Sequence, residues 1–159
     1  MAAIGECVPL AADDAAAVAA LAKQLDADLT VIGPEVPLVA GAADALRADG
    51  RLCFGPSSGA ARLEGSKAWM KDVLAAARVP TANHATFGAD QLEPALAYLE
   101  TLAGGYVVKT DGLAAGKGVV VTESLAEARD AVRAYLSGAA FGAAGTTCVI
   151  EAAMRGPEL

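Results

Sequence analysis

The ten residues Lys109 to Gly118, KTDGLAAGKG, lie between the β-branched runs Tyr106-Val107-Val108-Lys109 and Val119-Val120-Val121-Thr122. Runs of that composition favour strands, and the glycines between them let the chain turn back, so the segment reads as strand, loop, strand. Glycine frees the backbone for positive φ and lets several N–H groups converge on an anion, while Lys109 and Lys117 add positive charge beside those dipoles. A loop built this way suits a nucleotide triphosphate. Glycine-rich hairpins with surface lysines also occur in ordinary sheets, but two lysines and three glycines in ten residues favour phosphate binding.

The loop is not of the Walker type. The position that would need the first glycine is Asp111, and Lys117 is followed by Gly118 rather than by a hydroxyl residue for magnesium. A Walker loop also runs into a helix whose N-terminus supports the phosphate, whereas Val119 to Thr122 favours a strand.

With 159 residues the chain has room for one ordinary domain or two small ones, and its 55% hydrophobic content is ample for a core. Much of that content is alanine, which favours helices but gives each of them little large apolar surface, so Val, Leu and Ile must carry the core. Twelve Lys and Arg against nineteen Asp and Glu leave a net charge of −7 without a basic tract. That balance argues against nucleic acid or an anionic membrane as partner. Cys7, Cys53 and Cys148 are odd in number and lack CxxC spacing, so they read as buried free thiols of a cytosolic protein rather than a disulfide framework or zinc site. No stretch is long and apolar enough to span a bilayer and no export signal opens the chain, so a soluble, cytoplasmic protein is expected.

The first part of the chain alternates strands and helices. Cys7 to Pro9 reads as a short strand, Asp13 to Leu25 as a helix capped by Asp13 or Asp14, and Leu29 to Ile32 as a buried parallel strand. A helix from about Pro37 to Ala48, ended by Gly50, and a strand around Leu52 to Phe54 follow. These units predict a doubly wound parallel sheet, in which ligands bind beyond the carboxyl ends of the strands. The loops Gly33 to Leu38 and Gly55 to Ser58 lie there, and Gly33, Pro34 and Glu35 are candidate substrate contacts. The alternative is that Gly33 and Pro34 only shape the turn and Glu35 is solvated.

A second unit begins near Leu63. Ser66 is placed to cap a helix running to about Ala77, with Leu63, Met70, Val73 and Leu74 among its apolar positions and Lys67 in its first turn. A lysine there opposes the helix dipole, which makes sense if it reaches an anion beside the helix; otherwise it is simply solvated. A strand is expected over His84 to Phe87, a helix over Ala89 to Leu102, a turn at Gly104-Gly105 into Tyr106 to Lys109, a helix capped by Ser124 reaching about Leu136, and a last strand over Thr147 to Glu151. Glu151 then leaves a carboxylate at the rim of the sheet, either for a base or sugar or only where the strand meets water. His84, with no Ser, Cys or acidic partner at a catalytic spacing, reads as structural.

Four segments, DLTVIGPEVPLVAGAADALR, FGPSSGAARLEGSKAWMKDVL, VVKTDGLAAGKGVVV and AFGAAGTTCVIE, occur in the order and spacing of the phosphoribosylamine–glycine ligases (glycinamide ribonucleotide synthetases) of the ATP-grasp superfamily. The chain resembles that family over nearly its whole length. The resemblance implies an α/β fold: a partial doubly wound parallel sheet, the pre-ATP-grasp domain, over residues 1–62, then the N-terminal part of an ATP-grasp domain with its lid subdomain over residues 63–159. It also implies truncation at both ends, with the glycine-rich start and the metal-ligating remainder missing.

By the same resemblance, the activity is ATP-dependent ligation of glycine to 5-phosphoribosylamine through a glycyl phosphate, giving glycinamide ribonucleotide, ADP and phosphate in de novo purine biosynthesis. The cofactors implied are ATP and Mg2+ (or Mn2+), with metal ligands outside this segment. Lys67 and Lys109 would bind the α- and β-phosphates; Gly112, Leu113, Ala114, Gly116, Lys117 and Gly118 would form a mobile flap; Glu151 and Glu158 would contact adenine and ribose. Lys109 and Lys117 are the implied catalytic cations. The sequence departs from the family at Ala152 and Ala153, where a second acid and a large apolar residue are usual. This chain alone is expected to be inactive and to self-associate through exposed sheet edges. The alternatives are another ATP-grasp carboxylate–amine ligase and a noncatalytic nucleotide-binding fragment.

Overall fold

Asp14 caps the first helix, α1 (Ala15–Gln24), its carboxylate accepting from the Ala17 amide at 3.0 Å. The chain is described by a computed structural model over residues 4–114, 117–140 and 146–156. It divides into two units, Met1–Gly65 and Ser66–Leu159.

In the first unit α1 is followed by β1 (Thr30–Val31), α2 (Glu35–Val39), α3 (Ala42–Ala48), β2 (Cys53–Phe54) and α4 (Ser58–Gly65). The strands β1 and β2 pair in parallel, Thr30 with Cys53 and Val31 with Phe54. Ala22, Ile32, Leu38, Ala42, Ala43, Leu46 and Ala61 form the core, with Cys53 packed against it.

Four local expectations change here. Cys7 to Pro9 is not a strand: residues 6–11 have no regular structure, and β1 has only β2 as a described partner for its backbone groups. The strand at Leu29 to Ile32 is covered on one face alone. Ile32 is buried, while Leu29 and Val31 are 55% and 64% exposed, because successive side chains point to opposite faces of the sheet. The single helix expected from Pro37 to Ala48 is two, α2 and α3, separated at Gly41, whose φ of 92° leaves the helical region. Finally, Leu63 belongs not to the helix capped by Ser66 but to α4, whose first amide, Ser58 N, donates to the Asp44 carboxylate at 2.8 Å.

The second unit opens with α5 (Lys67–Ala76), where the Ser66 hydroxyl accepts from the Trp69 amide at 3.1 Å. Next come β3 (His84–Phe87), α6 (Leu92–Thr101), β4 (Tyr106–Thr110), β5 (Val119–Thr122), α7 (Leu125–Leu136) and β6 (Cys148–Ala152). The strands form one antiparallel sheet in the order β3-β6-β4-β5. The helices α6 and α7 cover one face, burying Phe87, Leu99, Tyr106, Val108, Val132, Cys148 and Ile150. The turn into β4 uses Gly104 and Gly105 at φ 76° and 82°.

Because β6 is an interior strand, Glu151 is not at a wet rim; it is 5% exposed. The three cysteines also differ: Cys148 is buried, Cys53 half-buried and Cys7 exposed, so only one is the buried thiol expected. Among the described residues no helix is long and apolar enough to cross a membrane.

Candidate functional site

Alternation along β4 and β6 sends Tyr106, Val108, Cys148 and Ile150 to the helix-covered face and Val107, Lys109, Val149 and Glu151 to the other. Register places Val107 opposite Glu151 and Lys109 opposite Val149, with Val121 and Val119 beside them on β5. On this second face Val119 and Val121 are 42% and 69% exposed. It therefore offers an open apolar strip beside a charged centre.

That centre is Glu151. Its Oε2 accepts from Lys71 Nζ at 3.0 Å, and the same ammonium donates to Thr81 Oγ1 at 2.7 Å. Its Oε1 is paired with Lys109 Nζ at 2.7 Å. The Lys71 side chain is 3% exposed and that of Lys109 25%. Burial alone would push the Glu151 carboxyl up; the two ammonium groups outweigh it and hold the carboxyl below its usual value. Two cations on one carboxylate leave a charge of +1 in the cluster, and additional negative charge is favoured there.

The root of the glycine hairpin is fastened to the start of α5. Asp111 accepts from the Ser66 hydroxyl at 3.0 Å and from the Ala68 amide at 3.1 Å, so it takes up a helix-terminal donor from outside the helix. Lys67 Nζ donates to the Gly112 carbonyl at 2.8 Å. Gly112 sits at φ 80°. At Gly118 a Cβ would meet Thr110 Cγ2 at 2.4 Å and Ala114 Cβ at 2.6 Å, a close approach that only glycine permits. The amide of Lys117 donates to the Ala114 carbonyl at 2.9 Å.

Lys67 and Gly112 meet at the hairpin root, as do Ala114 and Gly118, whereas Lys109 stands on β4 just before it with its ammonium on Glu151; Leu113 and Lys117 are exposed along the loop. Gly116 and Glu158 lie outside the described residues. Gly33, Pro34 and Glu35 belong to the first unit: Gly33 is exposed in the turn after β1, Pro34 is the N-cap of α2, and Glu35 is exposed in the first turn of α2. Ala153, one of the two departures, lies against the Gly105 backbone, and its amide donates to the Gly105 carbonyl at 3.0 Å.

Lys71, Asp111 and Thr81 were not singled out by sequence. The available signal for Lys71 was its place on one helix face with Ala68, Leu74 and Ala75, three and four residues away, an apolar surrounding that does not suit a solvated charge. In the sequence Asp111 stands out only as the residue where a Walker loop needs glycine. Among the described residues no group of three or more His, Cys, Asp or Glu is placed to hold a metal ion.

Compared with known proteins, residues 1–64 match the family model for the N domain of phosphoribosylglycinamide synthetase, and residues 65–159 that for its ATP-grasp (A) domain. The phosphoribosylamine–glycine ligase of Pseudomonas syringae pv. tomato is 55% identical over 130 residues, 82% of this chain and 30% of that protein. Its counterpart in Vibrio vulnificus is 50% identical over 153 residues, 96% of this chain and 35% of that protein. The chain spans about a third of the length of the curated relatives it matches. The crystal structure of the Thermotoga maritima phosphoribosylamine–glycine ligase superposes with a TM-score of 0.67 at 26% identity, covering 85% of this chain and 33% of that one. The biotin carboxylase domain of Hydrogenobacter thermophilus 2-oxoglutarate carboxylase, solved with MgADP, reaches a TM-score of 0.71 at 19% identity over 89% of this chain and 32% of that one, a likeness of fold. The antiparallel sheet with its two covering helices, the glycine hairpin and both matched domain models converge: the chain belongs to the phosphoribosylglycinamide synthetase family.

Proposed function

We propose that this chain supplies the phosphate-gripping part of an ATP-dependent ligase that joins glycine to 5-phosphoribosylamine, giving glycinamide ribonucleotide, ADP and phosphate in de novo purine biosynthesis. The observation that carries the proposal is the surplus positive charge at the Glu151 cluster, set beside an open apolar strip and at the root of a glycine hairpin. Cations and backbone donors there suit a polyphosphate, and the valine strip suits a base. Residues 1–62 act in this reading as part of the substrate-binding domain, with Gly33, Pro34 and Glu35 as contacts. Residues 63–159 act as part of the ATP-grasp domain, with the antiparallel sheet as its lid.

When bound, ATP supplies the phosphoryl group that activates the glycine carboxylate, and the amine of phosphoribosylamine then displaces phosphate. The chain's own residues bind and shield. Lys67, Lys109 and Lys117 stabilise charge on the phosphates, and Gly112 to Gly118 close as a flap that keeps water from the acyl phosphate. Both Glu151 oxygens face ammonium groups, which supports its serving as their counter-ion more than as a base contact; Glu158 remains the proposed ribose contact. Ligands for Mg2+ or Mn2+ are assigned to the greater length of the relatives. The proposed setting is the cytoplasm, with small-molecule substrates and neither nucleic acid nor membrane as partner.

The test is a chimera in which this segment replaces the matching third of the Vibrio vulnificus relative. ADP release should require glycine and phosphoribosylamine together and fall by at least about tenfold in Lys109→Met, the loss of a charge that contacts the transition state. ADP release driven by another carboxylate or amine, with none from this pair, refutes the reading.

A further inference from the structure

The two lysines that share Glu151 are not equivalent. Lys71 comes from the interior of α5, is 3% exposed, and makes two directed hydrogen bonds, to Glu151 Oε2 at 3.0 Å and to Thr81 Oγ1 at 2.7 Å. Lys109 comes from β4 near the glycine hairpin, is 25% exposed in its side chain, and pairs with Oε1 at 2.7 Å. A buried ammonium with two oriented acceptors is costly to displace, whereas the ammonium of a side chain that reaches solvent gives up a partner at lower cost.

We propose that Lys71 is a positioning residue, the fixed counter-ion of Glu151, which leaves Lys109 free to transfer its ammonium from Glu151 to an incoming polyphosphate. The inference rests on the phosphate-binding reading above and adds the device that makes Lys109 available. With Lys71 in place, the departure of Lys109 leaves Glu151 neutralised and hydrogen-bonded. Without it, Lys109 is the remaining cation on a buried carboxylate and is retained there, because an unpaired buried charge is strongly disfavoured. Lys71 therefore governs phosphate affinity although it touches no phosphate.

The test uses the full chain with inorganic tripolyphosphate as the probe, which has no base or sugar, and titration calorimetry as the readout. Lys71→Met should weaken tripolyphosphate binding at least about tenfold, and adding Glu151→Gln to Lys71→Met should restore it to within about threefold of the parent, since the carboxylate that traps Lys109 is then gone. A residue that merely supports the fold would show no such rescue. Parent-like binding by Lys71→Met, or a loss that Glu151→Gln does not repair, overturns the inference while leaving the phosphate-binding reading intact. Failure of the parent chain to bind tripolyphosphate overturns both. If Lys71→Met does not fold, side-chain ammonium NMR of the parent decides: on adding tripolyphosphate the Lys109 signal should move and the Lys71 signal should stay, and movement of Lys71 overturns the proposal.

Discussion

A carboxylate in an apolar interior ordinarily takes up a proton, yet the Glu151 carboxyl is held below its usual value because the Lys109 and Lys71 ammonium groups outweigh the effect of burial. The folded value lies below the unfolded one. Its ion pairs therefore contribute full stability above the unfolded carboxyl value, about 4.3, and lose it as pH falls through the lower folded value. Glu151→Gln should cost about 3–5 kcal/mol near neutral pH, since it strands the buried Lys71 charge. The gap to the parent should narrow below about pH 4; denaturant melts from pH 3 to 7 check this, and a gap independent of pH contradicts it. At Gly118 the constraint is steric: Gly118→Ala should destabilise by about 1–3 kcal/mol in the same assay, since Thr110 and Ala114 leave no room for a methyl group. Cys148, whose thiol burial pushes up to about 12, should resist a thiol reagent until the chain unfolds, while exposed Cys7 reacts at once; mass spectrometry of timed labelling distinguishes the two.

The helix α5 and the hairpin β4–β5 are each plain in the sequence, but their junction is not. Ser66 was legible as an N-cap from its place ahead of Lys67, and it fills that role. That its hydroxyl also donates to Asp111, 45 residues away, depends on how β4 lies against α5. Ser66→Ala should then cost more than an isolated cap, about 1 kcal/mol, because the link to Asp111 goes with it. Asp111→Asn combined with Ser66→Ala should be less than additive in thermal melts, and strict additivity would mean that the two residues do not act together. Strands β4, β5 and β6 were readable from β-branched runs next to glycine turns. The split of α2 from α3 was not, because Gly41 inside an apolar periodic segment signals a break only when its φ is known.

Across the whole molecule, the first unit carries an open apolar face. Leu29, Val31, Leu52 and Phe54 share one side of the parallel pair and are 55–71% exposed. Apolar surface gathered this way favours association, so sedimentation velocity should show a weight-average mass rising with concentration, and Val31→Thr with Phe54→Thr should suppress the rise. A concentration-independent monomer would count against it. The sequence by itself determined most of the elements and the family: strand and helix runs, the Ser66 and Ser124 caps, a cap at Asp13 or Asp14, and the glycine loop all depend on local preference and spacing within a few residues. Only the tertiary structure decided which charges meet. Glu151 lies 80 residues from Lys71 along the chain, and its interior strand position, its burial and its two lysine partners follow from sheet order and helix packing, which no local pattern encodes.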